Sequence, residues 1–285
     1  MTEGAPLRDI PQYLLDDIGG DLEHYVAAIL GLAAEGRSDP LRLIGSGTFV
    51  VIGGRHYVLT AAHVWEMTER FPTIGLILTS THHSWFPIPR DTIAARVVRG
   101  GPASGELGPD LALLELPPNH VPRIAAHKSF LDLAKRREEF LGDPLPVDLG
   151  IWAVTGISQA LSKVRSDPER HLHQADVQGR SFFAGVVGSL DRDDWDYLDT
   201  GVNTALAGVP PTFGGVSGAG LWQIPVTLSR ATGQMSWTHK RLNGVAFWQS
   251  PIKDNRRVIR CHGPRGLFVK AWSEWRLPER EPSDP

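Results

Sequence analysis

A succession of short β-rich runs, each closed off by turn residues, limits the architectures open to this chain. Residues 47–52 (GTFVVI) and 56–60 (HYVLT) flank Gly53-Gly54-Arg55, the signature of a tight hairpin. Residues 74–78, 94–98 and 111–116 continue the series, and 149–155, 182–187, 220–224, 243–248 and 266–269 resume it after a break. Runs of this length and spacing predict an all-β barrel or sandwich and argue against repeated βαβ units.

The segments around those runs have a different texture. Leu22, Tyr25, Val26, Ile29, Leu30 and Ala33 fall three and four apart, the spacing of one helix face. Asp21 is positioned to cap that helix, and Gly36 with Pro40 to end it. Residues 1–40 are therefore expected to form a helical N-terminal extension that packs on the barrel surface or docks an activator. Phe130, Leu133, Ala134, Phe140 and Leu141 form a partial helical stripe, with Lys135, Arg136, Arg137, Glu138 and Glu139 as a solvated charged face. Residues 123–143 are expected to link an N-terminal β-barrel (41–122) to a C-terminal one (144–285), and 162–180 to form a long surface loop.

Charge narrows the partners. The chain has 29 Lys and Arg against 32 Asp and Glu, with no basic stripe for nucleic acid and no acidic tail. Its tryptophans lack the basic interleaving of a nucleic-acid stacking platform and read as core and cleft residues. Cys261 is the only cysteine, so no intramolecular disulfide forms, and a lone thiol fits a reducing compartment. No apolar run approaches the roughly 18 residues of a membrane span, and the opening MTEGAPLRDIPQYLLDD lacks a signal-peptide core. The expectation is a soluble, cytoplasmic protein that binds neither nucleic acid nor membrane.

Three short segments carry chemistry together. His63 follows Thr60-Ala61-Ala62 at the end of a β-rich run. Asp110 stands directly before the apolar strand LALLEL, and Ser217 lies inside the glycine-rich turn Gly214-Gly215-Val216-Ser217-Gly218-Ala219-Gly220. A serine hydroxyl needs a base within hydrogen-bond reach to act as a nucleophile. Histidine can take that proton and return it to the leaving amine, while a buried aspartate fixes the imidazole tautomer and stabilises the imidazolium. Glycines around Ser217 let main-chain N–H groups converge, and those of Gly215 and Ser217 would form an oxyanion hole worth about 3 kcal/mol per donor.

In these segments, TAAHV at 60–64, DLALLEL at 110–116 and GGVSGAGL at 214–221, the sequence resembles the trypsin/chymotrypsin family of serine peptidases over about residues 44–276. The resemblance implies two six-stranded antiparallel β-barrels, a His63–Asp110–Ser217 triad, a protein or peptide substrate and no cofactor. It also implies that Leu242–Trp248 lines the substrate cleft and that 266–269 is a strand behind the specificity pocket. Val216 departs from the family, which usually has an aspartate there to pair with a newly cleaved N-terminus. Activation by N-terminal insertion is therefore not expected. Counting back six residues from Ser217 puts uncharged Pro211 at the pocket floor, followed by Thr212, Phe213 and Gly214, while Gln249, directly after the cleft-lining Phe247 and Trp248, stands where many relatives have glycine and is expected to narrow the pocket mouth. A substrate cation would find no counter-charge in such a pocket, so a small or apolar side chain is expected before the scissile bond.

Other signals are weaker. Gly215-Val216-Ser217-Gly218-Ala219 approaches an α/β-hydrolase elbow but ends in alanine, and its acid and base would have to be Asp254 and His262. His171, His173 and Asp176 lack a third placed metal ligand. The acidic run Asp191, Asp193, Asp194, Asp196 and Asp199 lacks the EF-hand pattern and reads as a solvated loop. The competing non-enzymatic reading is a pseudoprotease kept as a binding scaffold.

Overall fold

The computed structural model describes residues 9–33, 41–78, 85–100, 107–167, 172–206, 208–229 and 231–277, without the side chains of 164–174. The N-terminal half contains helices α1 (Gln12–Glu23), α2 (Ala62–Met67), α3 (Val121–Ala125) and α4 (Leu133–Gly142). Its strands are β1 (Val26–Leu32), β2 (Leu41–Ile52), β3 (Arg55–Thr60), β4 (Thr73–Ile77), β5 (Trp85–Pro89), β6 (Ala94–Arg99), β7 (Asp110–Glu115) and β8 (Leu131–Asp132). The C-terminal half contains β9 (Ile151–Ile157), β10 (Lys163–Asp167), β11 (Leu172–Asp176), β12 (Gly179–Arg192), β13 (Trp195–Asn203) and β14 (Gly220–Ile224). It continues through β15 (Val226–Leu228), β16 (Met235–Trp237), β17 (Arg241–Gln249) and β18 (Arg256–His262) to α5 (Trp272–Glu274). None of the described helices is long and apolar enough to cross a membrane.

The C-terminal half closes into a six-stranded antiparallel barrel in the order β12-β13-β18-β17-β14-β9. Trp152, Val154, Phe182, Leu198, Leu221 and Ile259 contribute to its apolar packing. The N-terminal half is a sheet in the order β5-β4-β1-β2-β3-β7-β6, with β8 joining β2 in parallel. No ladder joins β5 to β6 among the described residues, so the structure has one closed barrel where the sequence led us to expect two.

The expected helix through Leu22 to Ala33 is corrected. Helix α1 ends at Glu23, and Val26–Leu32 is a strand between β2 and β4. Buried on both faces, β1 has no polar alternation to mark it as a strand, and a continuous apolar run offers i, i+3 and i+4 matches by default. Asp21 lies inside α1, where its carboxylate receives the Lys240 ammonium, and does not cap the helix start. Gly36 and Pro40 lie outside the described residues. Leu14, Ile18 and Leu22 bury the apolar stripe of α1 within this same chain.

Residues 266–269 also differ from expectation. They belong to a wide-pitched helical segment, Gly266–Ala271, that runs into α5. The Asp196 carboxylate starts this segment by accepting the main-chain N–H groups of Arg265 (3.1 Å) and Gly266. The rest of the acidic run is committed too. Asp199 forms a two-pronged pair with Arg260 at 2.8 and 2.9 Å, Asp191 meets Arg265 at 2.6 Å and Asp194 meets Lys270 at 2.9 Å. Asp193 and Asp194, both at positive φ, form the two-residue turn between β12 and β13. The expected 162–180 loop contains the β10–β11 hairpin. His171 and the side chain of His173 lie outside what is described. Between the two halves, Asp132 caps α4 by accepting from the Lys135 N–H at 3.0 Å, and Phe140 stacks on Phe268.

Candidate active site

Strand β3 delivers His63. Thr60, Ala61, Ala62 and Val64 are fully buried, so the first turn of α2 is fixed in the core while the His63 side chain stays 25% exposed. Asp110 begins β7, the neighbour of β3, which brings it under the imidazole. Its Oδ2 lies 2.6 Å from His63 Nδ1, and its Oδ1 accepts the His63 main-chain N–H at 2.9 Å. Arg99, opposite Asp110 in the β6–β7 register, adds a third donor at 3.1 Å and also meets Glu66 at 3.2 Å. Burial by itself raises the Asp110 pKa, but the hydrogen bonds and charge of His63, helped by Arg99, outweigh it and hold the carboxyl below its ordinary value. With an ionised carboxylate on Nδ1, the imidazole carries its proton there and leaves Nε2 as an acceptor.

A second histidine, which sequence reasoning placed only in the rejected hydrolase arrangement, supports Asp110 from behind. Fully buried His262 accepts the Asp110 main-chain N–H on Nε2 at 3.0 Å, among the rings of Trp195, Tyr197 and Phe247. Burial pulls its pKa down to about 3, against the opposing pull of the Asp110 charge, so the ring is neutral near pH 7. Because Nε2 accepts, Nδ1 carries the hydrogen, and that atom is buried without a partner.

Ser217 sits in a turn whose polar groups are almost all committed. The Gly214 carbonyl accepts from Gln159 N–H at 2.7 Å, the Val216 N–H donates to Phe213 at 3.0 Å, and the Gly218 N–H donates to Ala246 at 2.7 Å. Fixing the Gly214 carbonyl on Gln159 points the trans-related Gly215 N–H the other way. Neither that N–H nor that of Ser217 donates a hydrogen bond within the protein among the described residues. An oxyanion hole requires donors of this kind, uncommitted within the protein. Gly215 and Gly218 have φ of 88° and 87°, and a Cβ at Gly218 would overlap Ser46 O and Thr60 Oγ1, so both positions demand glycine.

Ser46 on β2 ties this turn to the strand that carries His63. Its N–H donates to Ser217 O at 2.8 Å, and its Oγ donates to Gly215 O at 2.6 Å while accepting from Ile157 N–H at 2.7 Å. Its carbonyl accepts from Thr60 Oγ1 at 2.6 Å. Every polar group of this fully buried serine is used. Nothing in the local texture of GSGTFVV announces this, because the partners lie far along the chain. Among the described residues, no hydrogen bond joins Ser217 Oγ to the His63 ring.

Beside Ser217 lies a cavity of only ≈ 10 Å³, lined by Phe213, Val216, Ala246, Phe247, Trp248, Gln249 and Ile259. Pro211, Thr212 and Gly214 do not line it, and Pro211 and Thr212 are exposed. Phe213 is buried edge-on against Phe182. Gln249 turns its Oε1 inward to accept from Phe213 N–H at 3.1 Å and from Arg257. Val216, where the family resemblance led us to look for an aspartate, is 1% exposed and packs in the barrel core.

No protein-family profile and no curated protein matches this chain. One similar solved structure comes from work on how aromatic interactions drive the coupled folding and binding of the intrinsically disordered Sesbania mosaic virus VPg protein. It shares 15% identity with this chain over 92% of this chain and 95% of that one, at a TM-score of 0.43. A likeness at this level carries no argument about mechanism.

Proposed function

We propose that this chain is a serine endopeptidase of the chymotrypsin-like, two-barrel type, in which Ser217 attacks the peptide carbonyl with His63 as general base. The observation that carries the reading is the convergence of two separately built halves. The His63–Asp110 pair has its tautomer fixed at 2.6 Å, and the Ser217 turn presents two uncommitted N–H groups. In the first step Ser217 Oγ bonds to the carbonyl carbon, its proton passes to His63 Nε2, and the oxyanion meets the Gly215 and Ser217 N–H groups. Collapse expels the amine, which takes the proton from His63 and leaves an acyl-enzyme that water then hydrolyses. The missing Ser217–His63 hydrogen bond fits a free enzyme in which this contact tightens on substrate binding. In this reading the N-terminal sheet, with no ladder between β5 and β6 among the described residues, takes the place of the first barrel.

A fluorophosphonate probe tests the proposal. Labelling of wild-type protein at Ser217, absent in Ser217→Ala and in His63→Ala, is the expected result. The small cavity and the missing Ser217–His63 bond favour one alternative, a catalytically silent scaffold. Failure of Ser217 to label, with or without lysate of the native host, would select it.

A further inference from the structure

We propose that the pocket beside Ser217 receives an acidic side chain, so that the peptidase cleaves after Glu or Asp, with Arg257 as the residue that sets this specificity. The inference rests on the reading of Ser217 as nucleophile and names the substrate class of that site. It replaces the small or apolar side chain expected from the sequence, because the deciding charge comes from β18, outside the stretch of chain around Ser217.

Side chains on a strand alternate between faces. Cys261 and Ile259 of β18 point into the barrel core, and Ile259 lines the cavity. Arg257 lies one pleat further along that face, at the rim beyond Ile259. Its guanidinium reaches Gln249, which lines the same cavity.

Arg257 stands apart from the cations that are tied into ion pairs. Arg99, Arg136, Arg241, Arg260, Arg265 and Lys270 each meet a carboxylate. Arg257 meets none among the described residues. Among the described residues its guanidinium hydrogen-bonds only a neutral amide oxygen, and its Nε is buried without a partner. A partly buried cation in this state is left undercompensated.

Gln249 Oε1 marks where a substrate oxygen would sit. Two donors, the Phe213 main-chain N–H at 3.1 Å and the Arg257 guanidinium, converge on this single atom. The cavity is only ≈ 10 Å³, and a side chain that enters it by displacing Gln249 uncovers both donors. An apolar side chain would leave them unpaired, at about 1–3 kcal/mol for each buried group. A basic one would meet a like charge. A carboxylate takes both donors, and its charge-assisted bonds are about twice as strong as those of the amide oxygen it replaces. Val216, Ala246 and Phe247 then flank the methylene stem, and no carboxylate of the protein competes in the lining.

The test is cleavage of a peptide library by the full chain, scored by kcat/KM for Glu, Gln, Asp, Asn, Leu and Lys before the scissile bond. Glu over its isostere Gln by at least about tenfold is expected, and Arg257→Met should bring that ratio to about one, as loss of one charge-assisted partner implies. Cleavage chiefly after Leu, Gln or Lys by a protein whose Ser217 labels would overturn the pocket assignment and leave the nucleophile standing. If Ser217 does not label, Ser217→Ala protein is titrated with fluorescent peptides ending in Glu or Gln. Tighter, Arg257-dependent binding of the Glu peptide supports the pocket, and equal binding overturns it.

Discussion

Replacing Ser46 by alanine isolates the contact that joins the two halves of the site. The change removes one hydroxyl and leaves the Ser46 main-chain bonds to Ser217 and Thr60 intact. It strands the Ile157 N–H, in a residue only 3% exposed, and frees the half-buried Gly215 carbonyl. An orphaned buried donor costs about 1–3 kcal/mol and a lost neutral hydrogen bond about 0.5–1.5, so the unfolding free energy should fall by about 2–4 kcal/mol. The catalytic effect has a separate origin. With its carbonyl released, the 215–216 peptide no longer fixes the orientation of the turn, and the loss should approach that of one oxyanion donor, about 10²-fold in kcat. Denaturant unfolding measures the first number, and the fluorophosphonate labelling rate under folded conditions measures the second. Thr60→Val is the control: it removes one bond to the Ser46 carbonyl and keeps the Ser46 hydroxyl on the Gly215 carbonyl, so it should lower stability with a smaller loss of labelling rate than Ser46→Ala. Wild-type stability in Ser46→Ala, or equal labelling losses in the two variants, would refute the reasoning.

Two further predictions concern the frame. His262 is held neutral with its pKa lowered to about 3, so below pH 6.5 the unfolded chain binds a proton that the folded one does not. The stability linked to this residue is fully present above about pH 6.5 and is lost as pH falls toward 3. The gap in unfolding free energy between wild type and His262→Phe should therefore be widest near pH 7 and narrow on acidification, and a pH-independent gap would rule this out. Truncation before residue 34 removes α1 together with β1, a strand bonded on both sides. The product should fail to give a cooperative unfolding transition, and a folded, soluble truncation would show that the N-terminal segment is an accessory after all.

The three catalytic candidates were singled out by local texture, and the structure pairs two of them, His63 and Asp110. An apolar strand runs into small residues before His63, an apolar strand follows Asp110, and glycines surround Ser217. The helical face assigned to Val26, Ile29 and Leu30 failed because a strand buried on both sides has no period of two to read. Residues 266–269 failed for a tertiary reason: the group that starts their helix is Asp196, on a distant strand. Ser46, His262 and Arg257 were not legible at all. A serine that uses every polar group, a histidine under an aspartate amide and an arginine that shares one amide oxygen with a main-chain N–H become distinctive only once the chain has folded.

The same contacts bear on how such a site is kept ready. Where the family resemblance called for an aspartate, Val216 places an apolar side chain in the barrel core, and no charge is available there for a new N-terminus to pair with. The turn does not need one. Gln159 fixes the Gly214 carbonyl, Ser46 the Gly215 carbonyl and Ala246 the Gly218 N–H, while the Gly215 and Ser217 N–H groups of the proposed oxyanion hole donate to nothing among the described residues. These partners are main-chain groups and one buried hydroxyl, so no cleavage or titration near neutral pH is required to set them. What is occupied is the neighbouring cavity, where Gln249 takes the donors of Phe213 and Arg257. In the proposed enzyme the restraint therefore lies at substrate admission, not at assembly of the oxyanion turn. Only a side chain able to displace the Gln249 amide gains the site, and that is the discrimination the Glu-to-Gln ratio measures.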